Sequence, residues 1–395
     1  VTDVEKACGI TGIDFTNFVE LLSKSASPSV VIGKGITQSG SGGYRLLLLA
    51  GINYLMKGCV YLLSEKANEQ GSLDMGCSPE FLPGYASLEN IETRKKYEGA
   101  WTARLSDKPG LSMFGMMDAA RDGSLKAIYV MGENPVFNLP DSGSAEASLR
   151  NLEFLVVQDI FLTETGMLAD VILPPLSWAE KEGTFTNMER RIQRLRKAVK
   201  REGIEDWKIT AEISNRMGVK MSYRSAVDIF AEISKVSPLY NGITYEEIEK
   251  GKMTYPYKAE PVGMKDVELE VEGPRLKVAD KKLYLKIERP LFHSGTLSRQ
   301  SPALLKIYPE AVARFGADAA RVHSLSDGDM VRISAKKGAL DLKVVVDKEI
   351  EGYSIMLTNN FEGKGAFSIL GYEIDTVTGA PLIDAGEIAI EKVRA

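Results

Sequence analysis

The residue types that carry metal and redox chemistry are scarce in this sequence. Its 395 residues include three cysteines and two histidines. Cys8, Cys59 and Cys77 lie far apart with no CxxC spacing, and the histidines are His293 and His323. This set excludes an iron–sulfur cluster or structural zinc held by the chain's own close Cys/His cluster. An odd number of cysteines fits a reducing compartment better than a disulfide framework. No apolar run reaches the ~18–20 residues of a membrane span. The longest, 46–56, is interrupted by Asn53 and has the length of a buried helix. A basic excess is missing too: 49 Lys and Arg face 54 Asp and Glu, for a net charge of −5. That argues against a dedicated nucleic-acid binder. No signal peptide is legible, and Val1-Thr2-Asp3-Val4-Glu5 has no initiator Met and reads like the interior of a longer protein. There is no nucleophile elbow, Walker loop, full GxGxxG or metal-ligand spacing.

What is present is an ordinary soluble composition, 44% hydrophobic and 26% charged. At roughly 100–200 residues per domain, two or three domains are expected. The pattern changes twice along the chain. Over 1–219, short β-branched runs alternate with helical stretches. Strands are expected at 30–32, 125–131, 154–158 and 171–173, and helices at 44–56 and 206–217. Continuous β-branched runs point to a parallel sheet buried on both faces, built from right-handed βαβ units. Residues 220–282, rich in proline and acid, read as a connector over the surface with little sheet of its own. Over 283–395 the segments 285–287, 331–333, 340–346 and 354–357 alternate, with glycine turns between them, as in a β-barrel or sandwich. No internal repeat or low-complexity segment appears.

In an open α/β sheet, ligands bind at the carboxyl ends of the strands. Those ends are Gly33-Lys34-Gly35, Gly132-Glu133-Asn134-Pro135 and Gln158-Asp159. The first is equally a plain tight turn. In the second, Gly132 admits close backbone approach and Asn134 can both donate and accept. Asp159 reads either as a contact to a guanine edge or ribose, or as a helix N-cap. The stretch 180–197 carries Arg190, Arg191, Arg194 and Arg196. These suit phosphate, or else a solvated, salt-bridged face. His293-Ser294-Gly295-Thr296-Leu297-Ser298-Arg299 opens the β-rich part. His293 there grips a phosphate or pterin, or is a satisfied core histidine. His323 carries no assignment. The residues alone thus give a two-domain α/β-plus-β protein gripping a nucleotide-like ligand.

The order of these motifs resembles the molybdopterin oxidoreductases, with the formate dehydrogenase branch nearest in the middle of the chain. The resemblance is carried by Met131-Gly-Glu-Asn-Pro135, the 152–161 run LEFLVVQDIF, Thr163-Glu-Thr165, Ala169-Asp-Val-Ile-Leu-Pro174, the 180–191 run EKEGTFTNMERR and Asp206-Trp207. Asp74-Met75-Gly76, Pro83-Gly84-Tyr85 and the 293–299 segment are similar to the same family. The resemblance implies the second half of a Rossmann-like, partly parallel α/β domain followed by a double-psi β-barrel. It implies that these parts clamp molybdopterin guanine dinucleotide. Gly132, Glu133, Asn134, Gln158, Asp159 and Thr163 would line one dinucleotide. Gln38 would lie near the metal, and His293, Gly295, Thr296, Ser298 and Arg299 would reach in from the barrel. The family's cluster cysteines and its metal-ligating Cys or selenocysteine have no counterpart here. No catalytic or metal-ligating residue is therefore expected in this chain, and iron–sulfur clusters are expected only upstream of it.

Some departures look like erosion of a cofactor pocket. An Arg-Gly-Gln-Asn-Asn-Val-Gln-Gly run of active formate dehydrogenases reads Glu65-Lys-Ala-Asn-Glu-Gln-Gly71, a frequent His reads Ser39, and a late pterin-reaching Asn reads Phe367. One branch with a similar Glu-x-x-Asn-x-x-Gly run is the large iron–sulfur subunit of NADH:quinone oxidoreductase, an NADH dehydrogenase. That resemblance implies a scaffold role in electron transfer from NADH to quinone. The alternative is a fragment of a molybdenum or tungsten formate dehydrogenase catalytic subunit. Expected partners are the other subunits of such a respiratory or formate dehydrogenase complex, with no nucleic acid and no direct membrane insertion. The expected place is the cytoplasm, at the inner membrane's cytoplasmic face within a complex.

Overall fold

The computed structural model of the chain describes residues 5, 8–37, 42–251, 283–293, 295–361, 363, 365–375 and 379–393. Gln38 and Ser39 fall outside these residues, as does the 252–282 part of the expected connector.

Strands β1 (Ser29–Ile32) and β2 (Cys59–Leu62) pair in parallel, with Val31 opposite Tyr61. The helix Gly42–Leu55 lies between them in sequence. The expectation that 46–56 forms a buried helix is not met: only Gly42 and Gly43 are buried, and Leu55 is 81% exposed. A two-stranded sheet is too narrow to cover a helix that is apolar on most sides. Two short strands, β3 (Phe81–Leu82) and β4 (Ala86–Ser87), pair next.

The second parallel sheet runs in the order β5 (Ala127–Met131), β6 (Phe154–Gln158), β7 (Val171–Ile172). Helices Met113–Arg121 and Ser142–Arg150 cover one face, burying Met117, Ala145 and Leu149 against Val130, Leu155 and Val157. Burial on both faces was expected, yet Tyr129, Met131, Phe154, Val171 and Ile172 stay exposed. Three strands flanked by few helices leave the second face only partly covered.

The charged 180–197 stretch forms an antiparallel hairpin, β8 (Gly183–Thr186) with β9 (Ile192–Leu195). From 220 to 251 the chain is helical, with helices Ala226–Val236 and Tyr245–Glu249. Phe230, Tyr240, Ile243 and Ile248 close over Ile192 of the hairpin.

The C-terminal part is a six-stranded mixed sheet in the order β10-β14-β11-β13-β12-β17. Its strands are β10 (Tyr284–Glu288), β11 (Val312–Gly316), β12 (Met330–Ala335), β13 (Gly338–Asp347), β14 (Ser354–Thr358) and β17 (Ala389–Lys392), with a separate β15 (Gly371–Ile374) and β16 (Pro381–Asp384) pair. Two pairings are parallel, β10 with β14 and β11 with β13. Alternation places Ala313, Phe315, Val331, Ile333, Leu342, Val344, Ile355 and Leu357 in the largest core among the described residues. This sheet joins the β5–β7 unit through Asp141 N–H to Leu370 O (2.8 Å), the Asn359 amide to Phe137 O (3.0 Å) and Phe114 against Tyr372 (4.4 Å).

Candidate functional site

Three chain segments meet at the carboxyl ends of β5 and β6. Gly132 follows β5 with φ +63°, a left-handed conformation that glycine adopts without cost, and nothing lies within 4 Å of where a Cβ would sit. Its N–H donates to Gln158 O at the end of β6 (2.8 Å). The Gln158 side chain is buried, accepts from the Tyr129 hydroxyl and donates to Asp206 Oδ1 (2.9 Å). Asp206, at the start of the helix Asp206–Arg216, also pairs with Lys181. Asp159 stands beside this group. Burial raises its carboxyl pKa; N–H groups of Phe161 and Ile160 oppose that, and the charges of Glu133 and Asp206 add to it. The hydrogen bond to Phe161 N (3.2 Å) closes a local turn with no helix following it, so Asp159 is not a helix N-cap.

Asn134 is the hub of the second cluster. Its Oδ1 accepts from Thr165 N (3.2 Å) and Thr165 Oγ1 (2.8 Å), while its Nδ2 donates to Glu164 Oε2 (2.7 Å) and Thr296 Oγ1 (3.2 Å). Arg299 then grips Glu164 with two bonds, Nη1 to Oε1 (2.7 Å) and Nη2 to Oε2 (3.0 Å), and its guanidinium lies 4.4 Å over the Phe137 ring. Both charged side chains are largely buried, 11% exposed for Arg299 and 15% for Glu164. This pair therefore ties the 293–299 loop to the β5–β6 edge.

The remaining residues expected from sequence fold inward. Thr163 is buried and accepts from Gly166 N (3.1 Å). His293 is fully buried, with Nδ1 2.8 Å from Ser298 Oγ. Ser298 Oγ also bonds Gly295 N (3.0 Å) and Gly295 O (2.9 Å). Gly295 has φ +130°. Glu164, Thr165, Tyr129 and Asp206 complete the site but were not expected in it. The legible signal for Glu164 was a lone charge between two hydroxyls in Thr163-Glu164-Thr165.

Two arginines of the 180–197 stretch are held by carboxylates. Arg194 is turned inward, against Glu182 (3.3 Å) and Glu249 (3.1 Å) and 4.4 Å over Tyr245. Arg196 pairs with Glu249 at 2.6 Å. The run 65–71 is structural as well. Glu65 pairs with Lys34 (3.3 Å) and Arg289, and Asn68 Oδ1 accepts from Thr186 N (2.9 Å). Gln70 donates to the buried Asp74 at 2.8 Å. Phe367 packs against the core of the six-stranded sheet, with its N–H on Asn359 Oδ1 (2.8 Å).

These pairings have a pH signature. Burial raises the Glu164 pKa, but the bonds from Arg299 and Asn134 overcome it and the net shift is downward. Burial, then the Arg299 charge, lowers that of His293. Both groups have folded values below their unfolded ones, so each contributes stability above its unfolded pKa and loses it as pH falls through the folded one. Urea midpoints are expected to fall from pH 7 to 5 through His293 and through His323, whose pKa burial also lowers, and again below ~4.5 through Glu164. Arg299→Met should flatten the lower limb.

Residues 16–216 match the molybdopterin oxidoreductase family. The chain belongs to the molybdopterin oxidoreductase family. It is 31% identical over 417 residues to the F420-dependent formate dehydrogenase subunit alpha of Methanocaldococcus jannaschii, covering 98% of this chain and 62% of that protein. It is 32% identical over 405 residues to a Bacillus subtilis protein named as a probable oxidoreductase, covering 94% of this chain and 41% of that one. The chain thus spans between 41% and 62% of the length of these curated relatives. Acetylene hydratase from Pelobacter acetylenicus shares the fold, with a TM-score of 0.54 at 17% identity over 76% of this chain and 50% of that one. No described helix is long and apolar enough to cross a membrane.

The family is built around a molybdopterin cofactor, which the donor set here fits only in part. Gly132 and the half-buried Glu133 and Asp159 form an acidic edge, in which Glu133 Oε1 already accepts from Asn134 N (2.9 Å) and the Asn138 amide, and Asp159 from Phe161 N. Asn134, Gln158, Thr163 and Arg299 are engaged with protein partners, and Lys181, the cation bonded into this edge, is held by Asp206. The described residues of this edge therefore offer no unpaired cation for a pyrophosphate.

Proposed function

We propose that this chain forms the C-terminal, cofactor-clamping part of a larger redox subunit and acts there as a scaffold, like the corresponding part of the large iron–sulfur subunit of NADH:quinone oxidoreductase. The observation that carries this is the Asn134–Glu164–Arg299 cluster. The side chains that would hold a dinucleotide instead hold the two domains to each other. In this reading the barrel is of the double-psi type, the clamp sits cytoplasmically within a multi-subunit complex, and iron–sulfur clusters belong to other parts of the protein. Exposed apolar side chains on the helices Gly12–Lys24 and Gly42–Leu55 support membership of a larger body.

The second reading is a molybdenum or tungsten formate dehydrogenase catalytic subunit binding molybdopterin guanine dinucleotide. It is favoured by the formate dehydrogenase relative, aligned over 98% of the chain. There Gly132, Glu133 and Asp159 would take the guanine edge, while His293, Gly295, Thr296, Ser298 and Arg299 would face the phosphates. Acid hydrolysis of the full-length protein separates the two readings, because a bound guanine dinucleotide releases GMP and a fluorescent oxidised pterin. The scaffold role expects neither; release of both in proportion to protein supports the enzyme.

A further inference from the structure

Among the described residues, four buried polar atoms at one end of the C-terminal sheet have no hydrogen-bond partner: His293 Nε2, Tyr308 Oη, Thr358 Oγ1 and Glu288 Oε2. They belong to one neighbourhood. β10 and β14 run parallel with Glu288 opposite Thr358, so both side chains leave the sheet at the same level. From Glu288 the chain turns through Pro290, whose carbonyl accepts from His293 N (3.1 Å). From Thr358 it runs to Asn360, whose amide donates to His293 O, and to Phe361. The Phe361 ring packs 4.5 Å from His293 and 5.8 Å from Tyr308, and the His293 and Tyr308 rings stand edge-on at 6.4 Å.

The chemistry of the four atoms is complementary. Ser298 Oγ donates its one proton to Gly295 O and accepts from Gly295 N. With the hydroxyl proton on Gly295 O, His293 Nδ1 is the donor in its 2.8 Å contact with Ser298, and Nε2 is an acceptor. Two acceptors, Nε2 and Glu288 Oε2 (whose other oxygen Arg314 holds), thus lie at the same end of the sheet as two hydroxyls, those of Tyr308 and Thr358. Native interiors almost never orphan such atoms, and buried water making about three hydrogen bonds is their usual partner.

We infer that this end of the sheet is an internal hydration site. A buried water accepts from the Tyr308 hydroxyl and donates to His293 Nε2 and Glu288 Oε2, with Thr358 completing the cluster. The water fixes His293 as the Nδ1–H tautomer. His293 then holds Ser298 and Gly295, so Tyr308 and Thr358 are positioning residues for the loop that delivers Thr296 and Arg299 to Asn134 and Glu164. This holds whether or not the subunit carries a pterin.

The chain has only two histidines, so a long-range ¹H–¹⁵N spectrum of the full chain contains two imidazoles, told apart with His323→Gln. The expected result is a proton on Nδ1 of His293, none on Nε2, and a cross-relaxation peak from a long-lived water to the Tyr308 hydroxyl. Tyr308→Phe should abolish the water peak and speed amide exchange at Gly295 and Arg299 roughly tenfold, with the far-UV spectrum unchanged. Thr358→Ser should keep the water and Thr358→Val should weaken it. A proton on Nε2, or a native spectrum without a long-lived water at Tyr308, overturns the inference. Should Tyr308→Phe fail to fold, the native spectrum and the Thr358 pair decide it.

Discussion

Arg299→Ala is expected to destabilise the folded chain by about 3–5 kcal/mol, read as a lower urea midpoint at unchanged slope. The guanidinium makes two bonds to Glu164 from a site that is 11% exposed, and its loss strands a carboxylate that is 15% exposed. Part of that cost comes through Asn134, which donates to the same Glu164 oxygen that Nη2 reaches. Arg299→Lys should recover only part of the loss, because an ammonium cannot reproduce a two-bond fork or its stacking on Phe137. The double variant Glu164→Leu with Arg299→Met removes both charges and should be milder than either alanine variant alone. A cost for Arg299→Ala under ~1 kcal/mol would mean that the pair behaves like an exposed one.

Asp74→Ala is expected to cost about 3 kcal/mol, from removing a buried acceptor that serves several donors. Asp74 is fully buried and accepts from Gln70 Nε2 and from the Tyr240 hydroxyl, each at 2.8 Å. Tyr240 in turn stands 3.0 Å from Thr186 of the hairpin. Burial first, then the charge and hydrogen bond of Asp74, push the Tyr85 hydroxyl up to about 12. One carboxylate therefore joins the 65–74 run, the hairpin and the helical 220–251 segment. Asp74→Asn keeps the shape and one acceptor and should cost less. Proteolysis in the native state is expected to start in the 183–195 hairpin of Asp74→Ala, since that element loses its anchor.

Much of this was legible in the sequence where one physical rule dominated. Strands β5, β6, β12, β13 and β14 were expected within a few residues, because short apolar runs rich in β-branched residues and bounded by polar turns have few alternatives. The hairpin β8–β9 was hidden. Its dense charge obscured the alternation, and its arginines find their carboxylates, Glu182 and Glu249, at a distance that sequence cannot display. The helix Gly42–Leu55 misled in the opposite sense: apolar composition signals a need for burial, not the presence of a partner layer. At the site, Gly132, Asn134, Gln158 and Arg299 were expected to line a dinucleotide; the structure shows Gly132 bonded to Gln158, and Asn134 joined to Arg299 through Glu164. What escaped was their mutual bonding. Glu164 lies 135 residues from Arg299, and nothing in a linear pattern shows that one residue's partner is another residue rather than a ligand.

The most direct test of the scaffold role is the metal content of the full-length protein, purified anaerobically and measured by elemental analysis alongside its iron. Iron with molybdenum and tungsten both far below one atom per polypeptide is the expected result. Near-equimolar molybdenum or tungsten would contradict it and assign the clamp to a working cofactor.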